Sequence, residues 1–165
     1  MALDIRTGQG FDIHRFVDAP EEGRVLVLGG VAFPGERTLV GHSDADVIAH
    51  AAADALLGAA GLGDIGQHYP DTDPAWKGAD SLVILADAAA KVRALGWRIG
   101  NIDCSVVCES PRIAPHRDEM ADRLTASVGA PVTVKGRRAE GLGALGRQEG
   151  IACWANAVIV KETAS

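Results

Sequence analysis

Glycine occupies 20 of the 165 positions, while aromatic residues make up only 4%. Glycine carries no Cβ and enters positive φ freely, so such a chain is built on tight turns and on places where backbone approaches something closely. Close approach of this kind is common around phosphates, which backbone N–H groups cradle. Hydrophobic residues at 47% and charged residues at 23% are the balance of a globular chain rather than a disordered one. One domain over 1–165 is expected, long enough to fold on its own core. The net charge of −6 disfavours nucleic-acid binding, although a local basic patch still suits phosphates. No stretch reaches the roughly 18 apolar residues of a spanning helix, so no membrane association is expected. The N-terminal residues lack the basic start and apolar run of a signal peptide. Cys104, Cys108 and Cys153 are odd in number and form no Cys-x-x-Cys pair, which points to a reducing cytoplasm.

Ile5 to Phe11 reads as a strand, and Arg24–Leu28 with Val31–Phe33 reads as a hairpin turning at Gly29-Gly30. Ser43 is expected to cap a helix that reaches about Gly58, with Asp46 in the capping-box position. Gly61 to Trp76 is a long loop rich in Gly, Asp and Pro. Ser81 is expected to cap a second helix ending near Leu95-Gly96. Ile102–Cys108 alternates as a strand, Pro115–Val128 fits a third helix, and Val132–Lys135 is a short strand. A glycine- and arginine-rich loop, Gly136–Gly150, leads into a closing strand, Ile151–Val160. This order predicts a single α+β domain, an α/β sandwich with a mixed β-sheet and helices on one face.

Four constellations carry chemistry. Asp12 and His14 stand at i and i+2 of a strand and so project to one face. Carboxylate and imidazole are both zinc ligands, and the following helix offers His50 as a third, with Asp46 four residues before it and expected on the same helix face. Two His and one carboxylate leave a fourth position open, the pattern of a catalytic metal. A helix-capping Asp with surface histidines accounts for the same residues equally well. Gly41-His42-Ser43-Asp44-Ala45-Asp46 places a hydroxyl and N–H groups at a helix N-terminus, which suits an anion, with His42 as a proton donor. Ser43 as a plain helix cap is the alternative there. Asp64, Asp71 and Asp73 lie on a glycine-rich loop, where they serve polyol hydroxyls or ordinary turns. Lys135, Arg137, Arg138 and Arg147 stand out in an acidic chain as phosphate partners, with Glu140 a holder of Mg²⁺; a solvated basic loop is the bland alternative. Gly141-x-Gly143-x-x-Gly146 matches the dinucleotide fingerprint only by pattern, because a strand rather than a helix follows.

These motifs closely resemble the 2-C-methyl-D-erythritol 2,4-cyclodiphosphate synthase family of the non-mevalonate isoprenoid pathway. The matching stretches run in order from Gly8-Gln9-Gly10-Phe11-Asp12-Ile13-His14, through Gly41–His50, Asp54–Ala60 and Leu62–Gly66, to Pro70–Pro74, Lys77–Ser81 and Gly146–Ile151. The resemblance implies a phosphorus–oxygen lyase that forms the cyclodiphosphate and releases CMP. It implies one zinc on Asp12, His14 and His50, and Mg²⁺ or Mn²⁺ at Glu140. Catalytic roles fall on His42, Asp64 and Arg138. The methylerythritol part is implied against Asp12, His14, His42, Ser43, Asp64, Ile65, Gly66, Tyr69, Asp71 and Asp73. The cytidine diphosphate falls to Cys108, Pro111, Arg112, Ala114, Lys135, Arg137, Arg138, Ala139 and Glu140, with Ala144 and Arg147 toward the centre of the assembly. A homotrimer with sites between subunits is implied. The family usually carries hydroxyl residues between the Lys135 and Glu140 positions, where this chain has Arg137, Arg138 and Ala139. A metal-dependent phosphohydrolase and a non-catalytic trimer remain as rivals.

Overall fold

A computed structural model of the chain describes residues 2–19 and 21–163. The first strand, β1 (Ala2–Arg15), extends past both ends of the expected Ile5–Phe11 segment, because it pairs antiparallel along its whole length with β6 (Gly150–Thr163). Strand β6 pairs antiparallel with β4 (Arg98–Val107), and β4 pairs parallel with β5 (Val132–Arg137). The sheet order β1-β6-β4-β5 is therefore mixed, as expected. Parallel neighbours need a crossover, which α4 (Arg117–Val128) supplies between β4 and β5.

The hairpin β2 (Leu26–Leu28) and β3 (Val31–Phe33) forms a separate two-stranded sheet. Its turn residues Gly29 and Gly30 have φ of +57° and +74°, the two positive values that a two-residue hairpin turn favours. Helix α1 (Val47–Ala60) covers β1 and β6, α4 covers β5, and α3 (Ser81–Ala94) packs against α1 and α4. All three lie on one face. Ile48, Leu56, Leu57, Leu85, Ile102, Met120, Leu124, Ile151 and Ile159 fill the space between them, each essentially fully buried. Among the described residues no helix is long and apolar enough to cross a membrane.

Two helix starts differ from expectation. The cap of α1 is Asp46 rather than Ser43, because Ala45 sits at φ +61° and the chain is still turning there. The cap of α3 is Asp80, with Ser81 as the first helical residue. The 136–150 segment is not wholly loop: β5 runs to Arg137, and a one-turn helix α5 (Gly143–Gly146) precedes β6.

Helix α1 lies unusually close to β1. A Cβ on Gly8 would stand 2.1 Å from the Ala55 carbonyl oxygen, and one on Gly10 would stand 2.0 Å from that of Ala51. Strand periodicity puts Gly8, Gly10, Asp12 and His14 on the same face, so this approach sets how far the helix stands from Asp12 and His14. A Gly10→Ala variant has to push helix backbone away and is expected to lose about 3 kcal/mol or more of unfolding free energy in urea titration.

Candidate functional site

Where β1 passes beyond the two glycines, its inner face carries Asp12 and His14, and α1 brings His50 over them. Asp12 Oδ2 lies 3.0 Å from His14 Nε2 and 3.0 Å from His50 Nδ1, and the two nitrogens are 3.4 Å apart. Ligand atoms about 2.0–2.1 Å from a tetrahedral zinc are separated by about 3.3 Å, so this triangle fits one metal ion. Among the described residues it is the one group of His, Cys and acidic side chains that can hold a metal together. His14 Nδ1 lies 2.6 Å from the Val40 carbonyl, which fixes that nitrogen as the donor and leaves Nε2 for the metal. His50 Nε2 points away from the triangle to Ser81 Oγ at 2.8 Å and Ser43 Oγ at 3.1 Å. Burial disfavours charge on Asp12, yet the hydrogen bonds from His14 and His50 prevail and hold its carboxyl well below the usual carboxylate range. Burial also opposes charge on His14, and Asp12 outweighs it and holds the imidazole above the ordinary histidine value.

Asp46 does not share a ligand face with His50. Its carboxylate accepts N–H bonds from Ile48 and Ala49 at the start of α1 and from Gly29 and Gly30 of the hairpin. Burial and the neighbouring Asp44 carboxylate push its pKa up to about 6, against the pull of those N–H donors. Two of the α1 N–H groups near Ser43, those of Ile48 and Ala49, are thus occupied. Arg24, given no role by its place in the hairpin, clamps the loop before α1 through the carbonyls of Leu39, Gly41 and Ser43 at 3.1–3.2 Å.

Along the Gly61–Trp76 loop, His42 Nε2 donates to the Asp73 carbonyl at 3.0 Å, and Asp73 accepts from Ala75 N–H at 2.9 Å. Asp64 caps the short helix α2 (Ile65–His68), where hydrogen bonds from Gln67 hold its carboxyl low. Ile65 is half-buried, while Gly66 and Asp71 are exposed. Tyr69 is buried, its hydroxyl donating to Asp87 at 2.7 Å and its ring edge-on to Trp76.

A second cluster sits at the other edge of the sheet. A cleft of about 850 Å³ is lined by Cys108, Pro111, Arg112 and Ala114 from the turn after β4 and by Lys135, Arg137 and Arg138 from β5 and beyond. Glu109 of that same turn and Arg117 line it too, and Arg117 was not singled out by sequence. Glu109 accepts from Arg138 Nε at 2.9 Å and from Ala139 N–H at 2.8 Å, joining the cleft's two walls. Lys135 is tied to Asp103. The Cys108 thiol donates to the Pro111 carbonyl, and burial pushes its pKa up to about 11, so it is no ready nucleophile. Glu140 is exposed at φ +52°, Ala144 lies on α5, and Arg147 pairs with Glu149 at 2.7 Å.

A family model described as the YgbB family matches residues 5–160. The chain is 52% identical to a protein of Bordetella petrii named 2-C-methyl-D-erythritol 2,4-cyclodiphosphate synthase, over 98% of this chain and 99% of that one. It is similar to the solved structure of the bifunctional IspDF from Campylobacter jejuni, with TM-score 0.90 and 40% identity, covering 98% of this chain and 43% of the longer one. It is also similar to IspF of Plasmodium falciparum in a CDP complex, with TM-score 0.81 and 32% identity over 96% of this chain and 97% of that one.

The Tyr69 bond to Asp87 anchors the Gly61–Trp76 loop to α3. Tyr69→Phe is expected to cost about 1 kcal/mol in chemical denaturation and to speed proteolytic cleavage within that loop.

Proposed function

The chain belongs to the YgbB family, and we propose that it is a 2-C-methyl-D-erythritol 2,4-cyclodiphosphate synthase of isoprenoid precursor biosynthesis. Its substrate would be 4-diphosphocytidyl-2-C-methyl-D-erythritol 2-phosphate. The observation that carries this reading is the Asp12–His14–His50 triangle, three ligand atoms with a fourth position left open, as a catalytic metal requires.

The substrate's 2-phosphate attacks the β-phosphorus, one P–O bond forms to close an eight-membered cyclic diphosphate, and the bond from that phosphorus to the CMP oxygen breaks. The nucleophile is already an anion, so no serine or cysteine nucleophile is called for. That fits a buried Cys108 with a raised pKa. The chain's task is to fold the substrate back on itself and neutralise crowded phosphates. Zinc on the triad and Mg²⁺ or Mn²⁺ beside Glu140 would supply Lewis-acid polarisation and charge screening at the diphosphate. His42 and Ser43 would contact the methylerythritol phosphate end, while Asp64, held ionised by Gln67, would accept its hydroxyls. Lys135, Arg137 and Arg138 would hold the cytidine diphosphate in the basic cleft, in place of the family's usual hydroxyl residues. The Plasmodium falciparum relative was solved as a CDP complex, which supports that use of the cleft. Three free, buried cysteines agree with a cytoplasmic location.

A homotrimer is part of the proposal. The triad is on edge strand β1 and the cleft on the opposite edge strand β5, with β6 and β4 between them. Three strand spacings put them about 14 Å apart, so a neighbouring copy is the natural source of the second half-site. The sheet face away from the helices also leaves Leu3, Ile5, Phe11 and Ile13 46–60% exposed. Apolar surface of this extent is characteristic of a subunit interface.

Phosphorus NMR of the purified protein with the substrate and Mg²⁺ is expected to show a cyclic diphosphate and CMP, lost on zinc chelation. Linear phosphates would instead identify a phosphohydrolase, and unchanged substrate with zinc-loaded trimer would leave the fold without this activity. Asp12→Asn and His50→Ala are expected to lose zinc and at least about 100-fold in rate. Ile5→Asp is expected to convert a trimer to monomer in analytical ultracentrifugation, with loss of turnover.

A further inference from the structure

The basic cleft on the β5 side of the sheet contains one ion pair unlike its others. Lys135 pairs with Asp103, and Arg117 pairs with its neighbour Asp118 at 3.0 Å, both acids open to solvent. Arg138 pairs instead with Glu109 of the facing wall, whose side chain is only 7% exposed. Glu109 Oε2 accepts from Arg138 Nε at 2.9 Å and from Nη2 at 2.8 Å, and Oε1 accepts the Ala139 N–H at 2.8 Å. Both oxygens are engaged by residues 138 and 139, which leaves the carboxylate little to offer a ligand directly.

The shape of the guanidinium decides what remains for binding. Its five N–H donors lie in one plane, and the Nε–Nη2 edge is spent on Glu109. Both protons of Nη1 and the second proton of Nη2 have no partner among the described residues, and the Arg138 side chain is 71% exposed. That Nη1–Nη2 edge matches two oxygens of one phosphate, the bidentate contact at which arginine excels. An arginine already gripped by its other edge gives up little rotamer freedom when the phosphate arrives, so more of the contact appears as affinity.

We infer that Glu109 is a positioning residue for phosphate recognition: it holds Arg138 by one edge of the guanidinium, so that the other edge stands ready in the cleft for a phosphate of the nucleotide. This role rests on the proposed use of the cleft for a cytidine diphosphate. The competing account is that Glu109 only neutralises Arg138, and the two differ in sign. Glu109→Gln removes a negative charge from an anion site, so Coulomb attraction alone makes the variant bind a diphosphate more tightly. Loss of the grip on Arg138 makes it bind more weakly. Arg138→Lys separates charge from shape in the same way, because an ammonium keeps the charge and has no second edge.

The test is calorimetric titration of the full chain with CDP in the presence of Mg²⁺, repeated with inorganic pyrophosphate. Glu109→Gln, Arg138→Lys and Arg138→Ala are each expected to bind CDP about 10-fold more weakly than the wild type. The double variant of Glu109→Gln with Arg138→Ala is expected to bind no more weakly than Arg138→Ala alone, because Glu109 acts through Arg138. A merely structural Glu109 would lower the melting temperature and add its own loss of affinity in the double variant, which overturns the inference. Tighter CDP binding by Glu109→Gln, or binding within about twofold of wild type by it or by Arg138→Lys, overturns it too. Should Glu109→Gln fail to fold, Arg138→Lys against the wild type decides. A wild type that binds pyrophosphate but not CDP defeats the nucleotide reading of the cleft, while the same variants titrated with pyrophosphate still decide the role of Glu109. A wild type that binds neither overturns both.

Discussion

Everything at the Asp12–His14–His50 cluster depends on how closely α1 lies on β1. The closeness has a simple origin: Gly8 and Gly10 put no side chain between strand and helix, and α1 answers with Ala51, Ala55 and Ala59. The periods of the two elements then do the rest. Gly8, Gly10, Asp12 and His14 follow one another on the inner face of the strand. The glycine positions are packing, and the next two positions, at the same separation, are two members of the candidate triad. His50 lies in the first turn of the helix, one residue before Ala51. Its short side chain reaches Asp12 Oδ2 at 3.0 Å because the backbones are already near each other. The triad is thus the continuation of a packing seam.

Two carboxylates separated by one residue divide the polar duties at the start of α1. Asp46 is fully buried and accepts from both ends of a joint, the hairpin turn and the first turn of the helix. Asp44 faces the other way and joins the same segment to the start of α3. Because Asp46 already accepts from the Ile48 and Ala49 N–H groups, these two are not available to phosphate. The cationic side chains that the proposed function assigns to phosphate stand across the sheet at Lys135, Arg137 and Arg138. The requirement that buried N–H groups be paired therefore shapes where a phosphate can bind.

The candidate metal-binding triad was legible in the sequence because its geometry is local or nearly so. Asp12 and His14 need only strand periodicity, and His50 needs only a helix over them. The pairing of Asp46 with His50 by helical spacing failed for a definite reason: Ala45 takes a left-handed conformation, the helix starts late, and Asp46 is a cap rather than a face residue. Ser81 was read as a cap and proved to be the first helical residue, its hydroxyl turned inward to Asp44 and His50. No spacing rule could bring together residues 31 and 37 positions apart on separate elements. The same holds for the Glu109 bonds to Arg138 and Ala139, which exist only because β4 and β5 lie side by side.

The sheet order bears on the proposed assembly as well. A site that needs β1 from one copy and β5 from another joins unlike edges, which is a heterologous contact. A two-fold dimer repeats like against like and would bring triad to triad and cleft to cleft. Unlike edges can all be satisfied only if successive copies close into a ring, each donating its triad to one neighbour and its cleft to the other. The exposed apolar face formed by Leu3, Ile5, Phe11 and Ile13, with the Trp154 ring tilted against Phe11, gives such a ring an interior to bury. The side of the sheet that no helix covers and the two edges that each hold half a site then have one explanation in common.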